Sequence, residues 1–396
     1  MSGIRWVNDT VRDLPPSGIR KFFDIVTEIE GAISLGVGEP DFDTPWNVRE
    51  AAIYAIEHGA THYTSNWGTL ELRQAIADYM RTRYTLNYDP RNQILVTVGA
   101  SEGIDLAMRT ILSPGDEVLV PEPSYVSYYP CVVMAGGVPV GIKTGAHIDF
   151  RVEPQAVLDA VTPKTRAIIL PFPNNPTGGV MERQHLEELA KVLRKLDIAV
   201  ISDEIYCELT YTGARHVSIA EMEGMYERTV VLNGFSKSFA MTGWRLGFAC
   251  GPEEVLAAMV KIHQYTMLCA PVMAQEAALE GLRQGLADGF ADVGAMQREY
   301  NRRRRYLVQA LNRMGLMCFE PKGAFYVFPC IQASGMTSEE FCTRLLNEEK
   351  LAVVPGNAFG ASGEGFVRIS YAYSLDKIKA ALERLERFCK KYIQNR

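Results

Sequence analysis

A lysine and an arginine eight residues apart are the first residues in this sequence whose types and spacing could do chemistry. They lie in Gly234-Phe-Ser-Lys237-Ser-Phe-Ala-Met-Thr-Gly243-Trp-Arg245-Leu-Gly247, directly after the β-branched run 229–232. A lysine just past a buried strand end is partly withdrawn from water, which lowers the ammonium pKa and frees an amine nucleophile. With a fixed cation nearby, it suits an imine-forming lysine beside an anion such as a phosphate. Taken alone, the pair reads better as an exposed loop lysine and an unrelated structural arginine. It is not alone. The run 198–202 is followed by Asp203-Glu204-Ile205-Tyr206. A carboxylate at a buried strand end needs a cationic partner, although a helix N-cap is also a common job for aspartate. The run 166–170 leads into Pro171-Phe-Pro-Asn174-Asn175-Pro176-Thr-Gly178, a turn on any reading, in which Asn175 offers an amide donor. The run 93–98 ends in Gly99-Ala100-Ser101-Glu102, at the mouth of a helix whose free N–H groups would hold a phosphate.

All of these residues sit at the ends of short, nearly continuous apolar runs: 93–98, 117–120, 166–170, 198–202, 229–232 and 245–250. Such runs are expected of parallel strands buried on both faces. Amphipathic stretches such as 102–112 and 182–196 lie between them. Alternating βα units predict an α/β fold, a large doubly wound and mostly parallel sheet with helices on both faces. In such sheets a ligand sits beyond the carboxyl ends of the strands. Past Gly281 the pattern changes. Met296, Tyr300, Leu307, Leu311 and Met314 form one helical stripe, closed by Gly315. Shorter strands at 325–328 and 366–370 and a charged terminal helix at 375–392 follow. The expected organisation is a large domain at 46–285 and a smaller α+β domain made of 1–45 plus 286–396, joined by the long helix. Residues 1–45 hold one helix-like segment, 19–29, and a Gly/Pro-rich passage.

Composition narrows the function classes. The 396 residues carry 41 basic and 47 acidic side chains, a net charge of −6. That argues against a nucleic-acid binder, whose affinity rests on a basic field. The run Arg302-Arg303-Arg304-Arg305, inside a long amphipathic helix, reads as a solvated face. The eight cysteines form no CxxC pair, and the six histidines show no metal-ligand spacing, so no metal site is expected. Buried free thiols point to a reducing, cytoplasmic setting. The first eighteen residues have no apolar core of a signal peptide, and no apolar run reaches the length of a membrane span.

Together these segments resemble the fold-type I, pyridoxal-phosphate-dependent aminotransferases of the class I/II superfamily, the aspartate and aromatic aminotransferases among them. The likeness runs from Gly36-Val-Gly38-Glu-Pro-Asp41-Phe to Phe366-Val-Arg368-Ile-Ser370, nearly the whole chain. The resemblance implies that Lys237 carries the cofactor as a Schiff base and later shuttles the proton between the substrate Cα and C4′. It implies that Asp203 pairs with the pyridine nitrogen, and that Asn175 and Tyr206 donate to the phenolate oxygen. Arg245, Ser101 and the N–H groups of Ala100 and Ser101 would hold the phosphate. Tyr125 looks like the aromatic that stacks on the ring. Tyr63 looks like a residue lent by the other subunit of a homodimer. Arg368 looks like the bidentate clamp for the substrate α-carboxylate, with the backbone near Gly38 closing the other side. Some relatives place a phosphate-binding serine three residues before the lysine. Here that position is Gly234, which leaves Ser236 to substitute. The implied reaction moves an amino group from an L-amino acid to a 2-oxo acid, 2-oxoglutarate first among them, in a ping-pong cycle.

Two other readings use the same residues. A carbon–sulfur lyase would share the lysine and aspartate. Gly99-Ala-Ser101-Glu-Gly103 also matches the GxSxG elbow of a serine hydrolase, with Asp203 and then His216 or His263 downstream. That reading leaves Lys237, Arg245, Asn175 and Arg368 without purpose.

Overall fold

The computed structural model describes residues 6–16, 18 and 29–394. The helix expected at 19–29 lies, as far as residue 28, outside the described residues. The strands are β1 (Ile33–Ser34), β2 (Ile94–Thr97), β3 (Glu117–Glu122), β4 (Val138–Lys143), β5 (Thr165–Leu170), β6 (Ala199–Asp203), β7 (Thr229–Gly234), β8 (Gly247–Cys250), β9 (Tyr326–Val327), β10 (Leu351–Ala352), β11 (Val354–Pro355) and β12 (Val367–Ser370).

Seven of them form one sheet in the order β2-β8-β7-β6-β5-β3-β4. The pairs from β7 through β4 are parallel, and β8 runs against both of its neighbours. Alternate strand residues enter different cores. Leu95, Val118, Ala167 and Leu232 pack with Leu106 and Met259, from the helices Gly99–Ile111 and Glu253–Thr266. Ile94, Val96, Val231 and Phe248 pack with Ile76 and Leu282, from the helices Leu70–Tyr84 and Val272–Asp288. Ile168, Leu170 and Val200 pack with Leu186 and Leu189 of the helix Arg183–Leu193. Two covered faces explain why the sequence shows unbroken apolar runs instead of alternation.

A separate core gathers the C-terminal part. Met296, Tyr300, Leu307 and Leu311 of the helix Ala291–Arg313 pack with Phe341, Ile378, Leu382 and Leu35. Here β1 pairs in parallel with β10, and β11, β12 and β9 form an antiparallel sheet. Leu35 extends the first pair, its N–H donating to Ala352 O at 2.9 Å.

The arginine run corrects the sequence reading. Arg303 and Arg304 are buried, only 6% and 5% exposed. Position 303 falls on the same helical stripe as Met296, Tyr300 and Leu307, so its side chain turns inward. Arg303 Nη1 donates to both carboxylate oxygens of Asp41 at 2.8 Å, and Nε to Glu299 at 2.8 Å. Arg304 reaches Glu320 at 2.7 Å. All eight cysteines are free, and all but Cys269 are buried. Among the described residues no helix is long and apolar enough to cross a membrane.

Candidate active site

The carboxyl ends of β5, β6 and β7 meet the start of β8 at one edge of the sheet, where Gly234 is registered against Gly247. The antiparallel direction of β8 is what delivers Arg245 to the same edge as Lys237. A cavity of about 980 Å³ opens there. It is lined by Gly38, Ala100, Ser101, Tyr125, Asn175, Asp203, Tyr206, Ser236, Lys237, Arg245 and Arg368. Tyr63 does not line it and is 83% exposed.

Lys237 lies in the turn after β7, partly buried, and its Nζ donates to Gly38 O at 2.7 Å. Burial brings its ammonium down to about 8; Glu39 opposes the shift, while Arg368 and Arg245 add to it. Roughly a tenth of the amine is therefore neutral at pH 7, against well under a hundredth for an ordinary lysine, and only the neutral form is a nucleophile. Asp203 is the last residue of β6 and is 6% exposed. Burial raises its carboxyl to about 6, against the hydrogen bonds from Tyr128 and the Ile205 N–H that favour the charged form. Those bonds are 2.8 Å to Oδ2 and 3.2 Å to Oδ1.

One wall of the cavity is the mouth of the helix Gly99–Ile111, whose first N–H groups have no partner within the helix. Glu102 braces this mouth, accepting from the Val98 N–H at 2.5 Å and from His263 at 2.7 Å. Arg245 is held by donation from Nη1 to Thr242 O at 2.8 Å. The departure at Gly234 has a steric reason. A Cβ there would stand 2.9 Å from Gly247 Cα and 3.0 Å from Leu246 O, so the strand pair leaves no room for a serine. Ser236 is on the cavity wall instead.

Arg368, from β12, is 2% exposed. Its Nη1 donates to Asn175 Oδ1 at 2.8 Å and its Nη2 to Gly36 O at 2.5 Å. The guanidinium lies 4.5 Å from the Tyr326 ring centroid and 4.8 Å from that of Phe359. Tyr206 and Tyr326 share a hydroxyl contact of 2.8 Å, and burial raises both phenols. Tyr128, Tyr326, Glu102 and the Gly36 carbonyl were not singled out from the sequence, and the backbone near Gly38 was expected beside the substrate carboxylate, not as the acceptor for Lys237 that it is here. Backbone carbonyls give no side-chain signal, and Tyr128 stands among three tyrosines, 125, 128 and 129.

The hydrolase reading fails on geometry. His263 is bonded to Glu102, His216 to Glu204 at 3.0 Å, and Asp203 to Tyr128. Among the described residues no histidine is hydrogen-bonded to Ser101. A nucleophilic serine needs a base within reach.

The family model for aminotransferase class I and II matches residues 30–385. An aromatic-amino-acid aminotransferase 2 of Thermococcus litoralis is 46% identical over 384 residues, covering 97% of this chain and 98% of that protein. An aspartate aminotransferase of Pyrococcus abyssi is 45% identical over 381 residues, with coverage of 96% and 97%. Among solved structures, the Thermus thermophilus aspartate aminotransferase with maleate superimposes with a TM-score of 0.92 at 39% identity, covering 97% of this chain and all of that one.

Proposed function

The chain belongs to the class I and II aminotransferases, and from that premise we propose that its cavity holds pyridoxal phosphate and moves the amino group of an L-amino acid to 2-oxoglutarate. The observation that carries the reading is one cavity lined by a partly buried lysine, a buried carboxylate and two arginines held by different partners. The donor set fits the cofactor's groups. Arg245, Ser101, Ser236 and the helix mouth suit a phosphate dianion, and Asp203 suits a protonated pyridine nitrogen. Asn175 and Tyr206 suit a phenolate, and Tyr125 a ring face. When bound, pyridoxal phosphate supplies an electron sink for the charge left on the substrate Cα.

The chain's own residues do the rest. Lys237 would hold the cofactor through its amine, then take the proton from the substrate Cα and return it on the cofactor side. Arg368 would bind the α-carboxylate in place of its present acceptors. Tyr326 and Phe359 keep that guanidinium fixed in a dry place. We read the chain as two units, 46–285 and 1–45 with 286–396, a division supported by the separate apolar cores. We also propose a homodimer. Trp46, Tyr54, Tyr63 and Tyr265 are 60%, 61%, 83% and 86% exposed, more aromatic surface than water favours, and Tyr63 would reach the partner's phosphate. The free thiols support a cytoplasmic setting.

Borohydride reduction of the purified protein followed by peptide mass spectrometry tests the reading. The phosphopyridoxyl adduct should sit on the Lys237 peptide, and an adduct elsewhere would overturn the assignment. A screen of amino donors, following amination of the cofactor, then fixes the substrate.

A further inference from the structure

We infer that Glu102 and His263 form a positioning pair for the phosphate end of the cavity, holding the turn on which Arg245 lies. The inference rests on the reading above that the cavity takes pyridoxal phosphate. Val98, the N-cap of the helix Gly99–Ile111, has no polar side chain with which to cap it. Glu102, one turn into that helix, reaches back instead and accepts from the Val98 N–H through Oε2 at 2.5 Å. Its other oxygen, Oε1, accepts from His263 Nδ1 at 2.7 Å. His263 belongs to the helix Glu253–Thr266 and is fully buried, and its Nε2 has no partner among the described residues. The carboxylate thus ties the turn to a second helix behind it.

That turn shapes the proposed phosphate site. Gly99 has φ +78°, and a Cβ there would stand 2.8 Å from Arg245 Nη2, so the guanidinium lies directly over the turn. Ala100 and Ser101, whose N–H groups are proposed for the phosphate, follow at once and line the cavity with Arg245. A shift of the Val98–Gly99 peptide would therefore move both the N–H groups and the seat of the arginine. By charge alone Glu102 is a poor neighbour for a phosphate, since like charges repel. Its hydrogen bonds supply the reason for it. Glutamine has the same length but offers one acceptor and one donor, so its NH₂ would face either the Val98 N–H or the His263 N–H. His263 could accept from that NH₂ only by moving its own proton to Nε2, which is buried without a partner. One hydrogen bond is lost in every arrangement. Only a carboxylate accepts from both sides.

The test compares binding of pyridoxal phosphate with that of pyridoxal, which lacks the phosphate, to the apo protein by equilibrium dialysis. Glu102→Gln loses one bond, and Glu102→Asp keeps the charge but falls short by one methylene. Each should raise the Kd for pyridoxal phosphate about three- to tenfold, part of one hydrogen bond to a charged group, and the Kd for pyridoxal by no more than about twofold. A side chain acting only through its charge would behave in the opposite way. Tighter binding of pyridoxal phosphate by the glutamine variant, or an unchanged Kd in the aspartate variant, would therefore overturn the inference. Equal losses for the two ligands would mean general loosening and would overturn it as well. His263→Phe keeps a buried ring and removes the donor, and it should show the same phosphate-selective loss. Added to Glu102→Gln it should cost no more than about twofold further, and fully additive losses would break the pair. Should the phenylalanine variant not fold, His263→Gln, which keeps a side-chain donor, is combined with Glu102→Gln and read by the same rule. Wild-type protein that prefers pyridoxal phosphate no more than pyridoxal would sink the reading of the cavity and this inference with it. Wild type with that preference, beside Glu102 variants that keep it in full, would sink the inference alone.

Discussion

Replacing Arg368 by lysine should weaken both half-reactions by similar factors, whatever side chain the substrate carries. The α-carboxylate is common to every amino donor and every 2-oxo acid, and Arg368 is proposed to read it. The guanidinium now serves two acceptors at once, Asn175 Oδ1 at 2.8 Å and Gly36 O at 2.5 Å, while lying against Tyr326 and Phe359. A lysine keeps the charge but offers no planar fork, so at least one charged hydrogen bond is lost, about 1.5–3 kcal/mol. Losing the guanidinium's place against the two rings adds about 0.5–2 kcal/mol. Together these give about 2–5 kcal/mol, or roughly 30- to 5,000-fold in kcat/KM. Single-turnover rates for aspartate, phenylalanine and alanine as donors and 2-oxoglutarate as acceptor measure it. A loss confined to the dicarboxylates would mean that Arg368 reads the side chain, and the reasoning would fail.

Asp203→Asn should stabilise the apo protein at alkaline pH. The folded carboxyl titrates near 6 against an ordinary 3.8, so from pH 3.8 upward the unfolded chain releases a proton that the fold retains. Stability is thus lost as pH rises through 6; removing the group should return up to about 3 kcal/mol at pH 8 and nothing at pH 3, and a pH-independent change in denaturant melts would contradict this. Lys237 in the apo protein should react with pyridoxal along a titration centred near 8; a midpoint near the ordinary 10.5 would refute the effect of burial. Gly247→Ala would set a Cβ 2.6 Å from Ala100 N and 2.7 Å from Gly99 C, both backbone, so about 1–3 kcal/mol of stability should go. Gly243→Ala, facing open space, is its control in thermal melts. Mixing Tyr63→Ala with Lys237→Ala protein should restore activity through hybrids that contain one intact site; no recovery despite demonstrated subunit exchange would place Tyr63 in its own subunit's site.

Much of the large sheet was legible because its strands are buried on both faces. In β2, β7 and β8 every residue is buried, and each reads as an apolar run. The edge strand β4 was not read. Val138 is 47% exposed, and Pro139 and Gly141 break the run, as edges tolerate. The reversed direction of β8 was also hidden, because an apolar run carries no arrow. The lysine, aspartate, asparagine and Arg245 could be singled out because charged and amide groups at buried strand ends need a use, whereas Arg368, inside β12, was reached only through the family resemblance. Tyr128 and the Gly36 carbonyl were not, since their roles depend on distances set by other elements. The buried Arg303 could have been found. Counting from Met296 and Tyr300 at helical spacing puts it on the core side, but four adjacent arginines read as a solvated block.

Lys237 and Arg245 both ride on the connection between β7 and β8, which are antiparallel neighbours. A ligand held at both residues would cross-link the two arms of one hairpin. By linkage, whatever stabilises the bound ligand stabilises the β7–β8 pairing by the same free energy, and fraying of that pairing releases the ligand. The opening free energy of this hairpin with such a ligand bound would therefore exceed that of the apo protein by the ligand's own binding contribution. Amide exchange in β7 and β8 would report it without any turnover being measured.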